Sequence, residues 1–316
     1  MIDKFGRDNV DFIFMDTGAE HPKTYDFIRK VDKYLGLNLV CLRGQFNQEL
    51  GQGHTYKIID VNDLKCDLGV FSSLTKKYGT PTVTGAWCTS RMKEETHDKY
   101  CDDVYGKSGY ETWIGIRADE PSRLIGKSNY SKIKTSTLTC DDVAPLLRVW
   151  RDSGAFGMVG FFDKKNILDK ELYLSLFSHF DGLDAKRLRY MAEITDTEKK
   201  DVLDWWKGQC FDLEIDEHLG NCVFCVKKGP NKLALAARDE PELYEQFLAL
   251  IDEANPRIDL TKKPPKEIMY RNKQSLIQII SLYENHSRNE IAQTIRNMRA
   301  MDTGSCSESC EVFSSE

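Results

Sequence analysis

The apolar run Phe12–Met15 stops abruptly at Asp16-Thr17-Gly18, the pattern of a buried parallel strand that ends in a polar turn. From Thr24 the pattern changes period. Phe27, Ile28, Val31 and Leu35 fall on one helical face, which predicts a helix over Thr24–Tyr34. A second strand is expected at Leu37–Leu42, a Gly-rich loop from Gly44 to His54, and helical spacing within Val61–Tyr78. Met92–Tyr100 reads as a helix, Glu111–Arg117 as a strand with a charged tip, and Arg189–Ile194 as a short strand. Between them lie helical patterns at Val143–Arg151 and Lys170–Phe180, separated by Gly154, Gly157 and Gly160. Thr195 and Glu198 stand at capping-box spacing and open a helix over Lys199–Lys207. The last third is helical at Pro241–Ala254, Ser275–Glu284 and Asn289–Ala300, is divided by Pro264-Pro265, and ends in a Ser- and Cys-rich tail. Strands alternating with helices in this order predict an α/β chain. In open α/β sheets ligands bind beyond the carboxyl ends of strands, so Asp16, Thr17 and Gly18 are candidate ligand-binding residues.

At 316 residues the chain has room for two domains. No apolar run approaches the ~20 residues of a membrane span, and no basic segment precedes an apolar one as in a secretory signal. The expected localisation is therefore cytoplasmic, with no membrane partner. A net charge of −6 argues against broad, nonspecific nucleic-acid binding. Ten cysteines in such a chain favour metal or redox chemistry over a disulfide framework. Cys222-x-x-Cys225 is the sharpest local signal, because two thiolates at that spacing chelate one metal ion or cluster from a tight turn. Cys306-x-x-x-Cys310 offers a second pair, with Cys88 and Cys210 as single candidates and His218 close to the CxxC. Four sulfur ligands suit zinc or an iron–sulfur cluster alike. Thiol–disulfide chemistry, helped by Lys227 and Lys228 nearby, is the alternative use of the pair. Cys88 is flanked by Arg91 and Lys93, a setting that favours a thiolate, and Cys88 and Lys93 are the candidate catalytic residues. Arg117 and Arg123 flank Asp119-Glu120-Pro121 and carry the planar forks that bind phosphate or sulfate oxygens.

Four segments read in order carry a family resemblance: Asp16-Thr17-Gly18-Ala19-Glu20-His21-Pro22, Trp87-Cys88-Thr89-Ser90-Arg91-Met92-Lys93, Gly115-Ile116-Arg117-Ala118-Asp119-Glu120-Pro121-Ser122-Arg123 and Gly220-Asn221-Cys222-Val223-Phe224-Cys225. Together they resemble the phosphoadenosine phosphosulfate (PAPS) reductase family, most closely its phage-type members, within the adenine nucleotide alpha-hydrolase superfamily. The resemblance covers about 2–124 and 186–313. It implies a Rossmann-like, mostly parallel sheet with a helical C-terminal region. It also implies an adenine nucleotide (PAPS, its 3′-dephosphorylated form APS, or ATP) as substrate, and thiol-based redox or sulfur-transfer chemistry. Asp16, Thr17, Gly18, Arg117, Glu120 and Arg123 are then the nucleotide- and substrate-binding set, while the metal ligands expected from the spacing of the two chelating pairs are Cys222, Cys225, Cys306 and Cys310. Two departures bear on the reaction. The tail Cys306–Cys310 matches the family's reactive tail cysteine in place but not in motif, and no adjacent Cys-Cys pair accompanies the CxxC. The family's Ser-Gly-Gly phosphate loop also has no counterpart, since Met1 stands where the helix after it would be ending.

The expected organisation is a nucleotide-binding domain over 1–124 and 186–210, an inserted subdomain over 125–185, and a helical cysteine-bearing region over 211–316. Two further readings stay open: an ATP-dependent sulfurtransferase or nucleic-acid modification enzyme, and a truncated, catalytically inactive relative that keeps fold and metal. The expected partner is a small-molecule nucleotide. A thiol-redox protein is a second candidate, and nucleic acid is not excluded.

Overall fold

The computed structural model describes residues 1–49, 51–255 and 265–301. They form two compact units, Met1–Val104 with Leu213–Met301, and Tyr105–Asp212. The chain is mixed α/β and rich in helix. Among the described residues its strands form three small sheets rather than one.

In the first unit, β1 (Ile13–Asp16) and β2 (Val40–Phe46) pair in parallel, with Asp16 opposite Arg43. A parallel pair needs a crossover, and the helix Pro22–Leu35 supplies it. Proline suits the start of that helix because its missing N–H is one that the first turn leaves unbonded anyway. His21 caps it, its Nδ1 accepting from the Lys23 amide at 3.2 Å. β2 begins later than the predicted strand and runs through Gly44, so the predicted Gly-rich loop shrinks. Its far end becomes β3 (His54–Ile59), antiparallel to β2.

In the second unit, β4 (Thr112–Ile114) and β5 (Leu188–Tyr190) pair in parallel. Their core joins Ile116 and Leu124 to Leu146, Leu147 and Phe180. Residues of the predicted insert over 125–185 thus bury the same apolar surface as residues on either side of it. This is why the units divide at 104/105 and 212/213 rather than at 124, 185 and 210. The helix Val143–Lys164 continues past Gly154, whose φ of 56° and ψ of −145° put a kink where the sequence suggested a break.

His179, in the helix Lys170–Ala185, donates from Nε2 to the Leu124 carbonyl at 2.8 Å, and burial pushes its pKa below the ordinary 6.5. A base with a lowered folded pKa binds fewer protons folded than unfolded. Its contribution to stability is therefore complete above about pH 6.5 and is lost as the pH falls through that value toward the lower folded pKa. His218, also lowered by burial, acts in the same direction. The melting temperature is expected to be flat near pH 7.5 and to drop between pH 6.5 and 5, with a shallower drop in His179→Gln. A melting temperature unchanged over that range in the wild type would contradict this.

The chain then returns to the first unit through the helices Pro230–Asp239 and Pro241–Glu253 and the hairpin of β6 (Ile268–Tyr270) with β7 (Gln274–Ser275). These pack with the helix Gly69–Tyr78 in one core that includes Leu74, Met92, Leu233, Phe247 and Met269. The predicted helix over Asn289–Ala300 is present as Arg288–Met301. No helix among the described residues is long and apolar enough to cross a membrane.

Candidate functional site

The tip of β1 is fixed by Asp16, whose side chain is fully buried. One carboxylate oxygen accepts from the Gly18 amide and from the Tyr25 hydroxyl, each at 2.8 Å. The other accepts from Arg43 Nε at 2.8 Å and from a second guanidinium nitrogen. Burial, then the Asp16 charge, pushes the Tyr25 hydroxyl far above its ordinary range, so it keeps its proton and donates it to Asp16 while accepting from the Glu20 amide at 3.4 Å. Gly18 has a φ of 69°, and a Cβ there would come within 2.7 Å of Asp67 Oδ1, so glycine is required for both conformation and space. The Gly18 carbonyl accepts from the amides of Asp67 and Leu68, which places Cys66 and its neighbours beside the strand tip.

The CxxC loop docks on the same turn. Glu20 and Cys222 form an antiparallel bridge, and the Val223 amide donates to the Ala19 carbonyl at 3.2 Å. Cys222 Sγ lies 3.7 Å from Thr17 Oγ1 and 3.7 Å from a carboxylate oxygen of Glu20, itself buried. Cys225 is buried, and its carbonyl accepts from the Lys228 amide at 3.0 Å. The loop wraps the Lys228 ammonium, which donates to the carbonyls of His218 at 2.6 Å and Val223 at 3.0 Å. Burial lowers the Lys228 pKa to about 8, against the opposing pull of Cys225, Cys222 and Glu20.

A third segment reaches this place. Cys88 opens a π-helix over Cys88–Glu94, a rare conformation that is frequent at functional sites. Cys66, Cys88, Cys222 and Cys225 together line one cavity of about 30 Å³ among otherwise apolar walls. Burial, then the nearby carboxylates led by Asp67, pushes the Cys66 thiol up to about 11.

The chain is 39% identical over 311 residues to an uncharacterized nin region protein, ORF290, of Escherichia phage lambda, a match covering 98% of this chain and 87% of the phage protein. It belongs to the family of that phage protein. A second relative, an uncharacterized protein of Methanocaldococcus jannaschii, is 24% identical over 138 residues, 42% of this chain and 23% of the relative. No protein-family profile and no solved structure matches the chain.

The structure brings part of the predicted site together. Thr17, Gly18, Cys88, Cys222 and Cys225 lie in the first unit around the β1 tip and the cavity. Asp16 is there too, but its carboxylate is spent on Gly18, Tyr25 and Arg43. Lys93 shares the π-helix with Cys88 without lining the cavity, and Arg91 pairs with Glu95. Arg117, Glu120 and Arg123 belong to the second unit. There the buried Glu120 accepts from Arg123 at 2.7 Å and from the Arg117 amide at 3.1 Å. Cys306 and Cys310 lie outside the described residues. His218 does not line the cavity, and its Nε2 meets Asp239 at 2.9 Å. With Asp216 it forms a group of three metal-ligand types, but Arg288 pairs with both carboxylates and makes this an ion-pair network. Cys66 and Glu20 were not singled out from the sequence. Cys66 stands in no spacing motif and is brought in by the bonds of Asp67 and Leu68 to Gly18, while Glu20, within the first motif segment, is marked only by its bridge to Cys222.

Proposed function

We propose that this protein acts on an adenine nucleotide with thiol-based redox or sulfur-transfer chemistry, in the manner of the PAPS reductase family that its motifs resemble. The observation that supports the reading is the meeting, within one unit, of three of the four motif segments. The Asp16-Thr17-Gly18 turn, the segment holding Cys88 and the Cys222-x-x-Cys225 loop all border the thiol-lined cavity or touch its lining. A parallel strand that ends in a polar turn beside a crossover helix is where α/β proteins receive nucleotides, and the β1–β2 pair is consistent with a Rossmann-like sheet. In this reading the Thr17 hydroxyl and the β1 turn orient the nucleotide, while Glu20 holds the proton of Cys222.

Calorimetric titration of the full chain with ATP, and separately with PAPS, tests this. Binding of either nucleotide is expected, and Thr17→Val is expected to weaken it about tenfold, equivalent to about 1.4 kcal/mol, with little change in melting temperature. Sulfite release from PAPS would favour the reductase chemistry, and pyrophosphate release from ATP the sulfurtransferase alternative. Absence of heat with both nucleotides would overturn the proposal.

A further inference from the structure

The helix Val143–Lys164 is apolar on more sides than its unit covers. From Ala155 to Phe162 it reads Ala-Phe-Gly-Met-Val-Gly-Phe-Phe, without a polar residue. A helix that is apolar all round is normally covered all round. Met158 and Phe162 are buried in the core of the second unit. The opposite side is bare: Phe156 is 88% exposed, and Val159, on the next turn, is exposed as well. Leu168, four residues past the helix, is 92% exposed. Leu174, next to the Tyr173 ring that meets Phe162 at 5.3 Å, is also exposed. A single exposed apolar side chain needs no explanation, but several on neighbouring segments mark a contact surface. The same face holds a notch. A Cβ added to Gly160 would meet nothing within 4 Å, so nothing in this copy of the chain calls for glycine there, where glycine weakens a helix. Gly157 differs, since its Cβ would come within 2.6 Å of the Ser153 side chain. Phe156 and Gly160 thus stand as a knob and a hole about one helical turn apart.

We propose that this face binds a second copy of the chain, the two helices lying antiparallel about a two-fold axis at the level of Met158. A two-fold axis sets residue i of one copy against residue j of the other, and j against i. Centred there, it places each Phe156 over the open notch at Gly160 of the other copy. Charge favours the same pairing. Asp152 and Lys164 stand six residues on either side of Met158, both are exposed, and neither has an ion-pair partner among the described residues. The axis brings Asp152 of each copy toward Lys164 of the other, and the long lysine stem spans the offset that the kink at Gly154 introduces. Asp163 falls opposite Ser153, so no like charges meet there. Lys165 and Arg151, which also fall opposite one another, are held within each copy by Asp142 and by Asp184 and Glu193. The apolar side chains form the centre, and the charges the rim, of an interface that needs about 800 Å² from each copy. The inference rests on the second unit and does not depend on the nucleotide reading.

Sedimentation velocity of the full chain tests this. A monomer–dimer equilibrium is expected within about 1 to 100 μM. Phe156→Asp is expected to raise the dissociation constant at least about thirtyfold. Because the side chain is exposed, the variant's monomer is expected to keep the wild-type circular dichroism spectrum. Asp152→Lys and Lys164→Asp are each expected to raise the constant about fivefold, and the double variant to restore it, since the exchanged charges still meet across the axis. A wild-type chain that stays monomeric at about 100 μM would overturn the proposal. So would a dimer that Phe156→Asp leaves intact, because the contact would then lie elsewhere. A double variant no tighter than either single one would overturn the antiparallel pairing about Met158. A monomer that instead sediments with phosphatidylcholine vesicles, and loses this in Phe156→Asp, would give the face to a lipid surface and overturn the second copy.

Discussion

Asp16→Ala is expected to destabilise the first unit by about 3 kcal/mol, read as a shifted urea midpoint in tryptophan fluorescence. The carboxylate has no exposure and receives four hydrogen bonds from Gly18, Tyr25 and Arg43. Removing it leaves the buried Tyr25 hydroxyl and the Arg43 guanidinium without their acceptor. Breaking a buried charge pair costs about 3–5 kcal/mol. Arg43 keeps 20% of its side-chain exposure and a second partner in Asp67 at 2.9 Å, which places the expectation at the lower end. Asp16→Asn retains an acceptor for Gly18 and Tyr25 but turns an amide N–H toward Arg43, so about 2 kcal/mol is expected. A wild-type midpoint in Asp16→Ala would show that the network does not hold the strand tip.

Glu120→Ala is expected to cost the second unit about 2–3 kcal/mol. Its carboxylate is buried between two guanidinium groups, bonding Arg123 at 2.7 Å and Arg117 at 3.4 Å, and it also accepts the Arg117 amide. Both arginines retain some exposure, 24% and 16%, so water recovers part of what the variant loses. Glu120→Gln keeps acceptors for the amide and for one arginine and is expected to lose about half as much. Equal stability of all three proteins would mean that Glu120 is held for a ligand rather than for the fold.

The elements legible in the sequence are those set by local pattern. The β1 run, the crossover helix after His21-Pro22 and the helix Lys199–Lys207 follow from periodicity and turn residues within a dozen positions. Even there the cap shifts, since Glu198 rather than Thr195 stands at the helix N-cap and Asp201 answers it. The pair Cys222-x-x-Cys225 was visible because its spacing carries its own chemistry. Cys66 was not, because it comes to the cavity only when the Gly18 carbonyl fixes the loop at Asp67 and Leu68. The π-helix at Cys88 was also hidden, since its apolar spacing differs little from that of the ordinary helix predicted from Met92. The unit boundaries escaped for a related reason: the residues 125–185 have helical patterns of their own, and only packing shows that they share a core with Ile116 and Leu188.

The bridge between Glu20 and Cys222 also dictates a sequence of events in time. Its partners are 202 positions apart, and a whole second unit is translated between them. While the chain is being made, the Asp16-Thr17-Gly18 turn emerges early and waits without the loop that docks on it. Residues 105–212, continuous in sequence, can collapse first. The first unit closes only when the segment from Leu213 onward leaves the ribosome, so long-range closure rather than local helix formation sets its pace. Until then the thiols of Cys66 and Cys88 lack the Cys222 loop that later walls their cavity, and a nascent chain stalled before Leu213 would leave them more open to oxidants than the finished protein does, where both are half-buried.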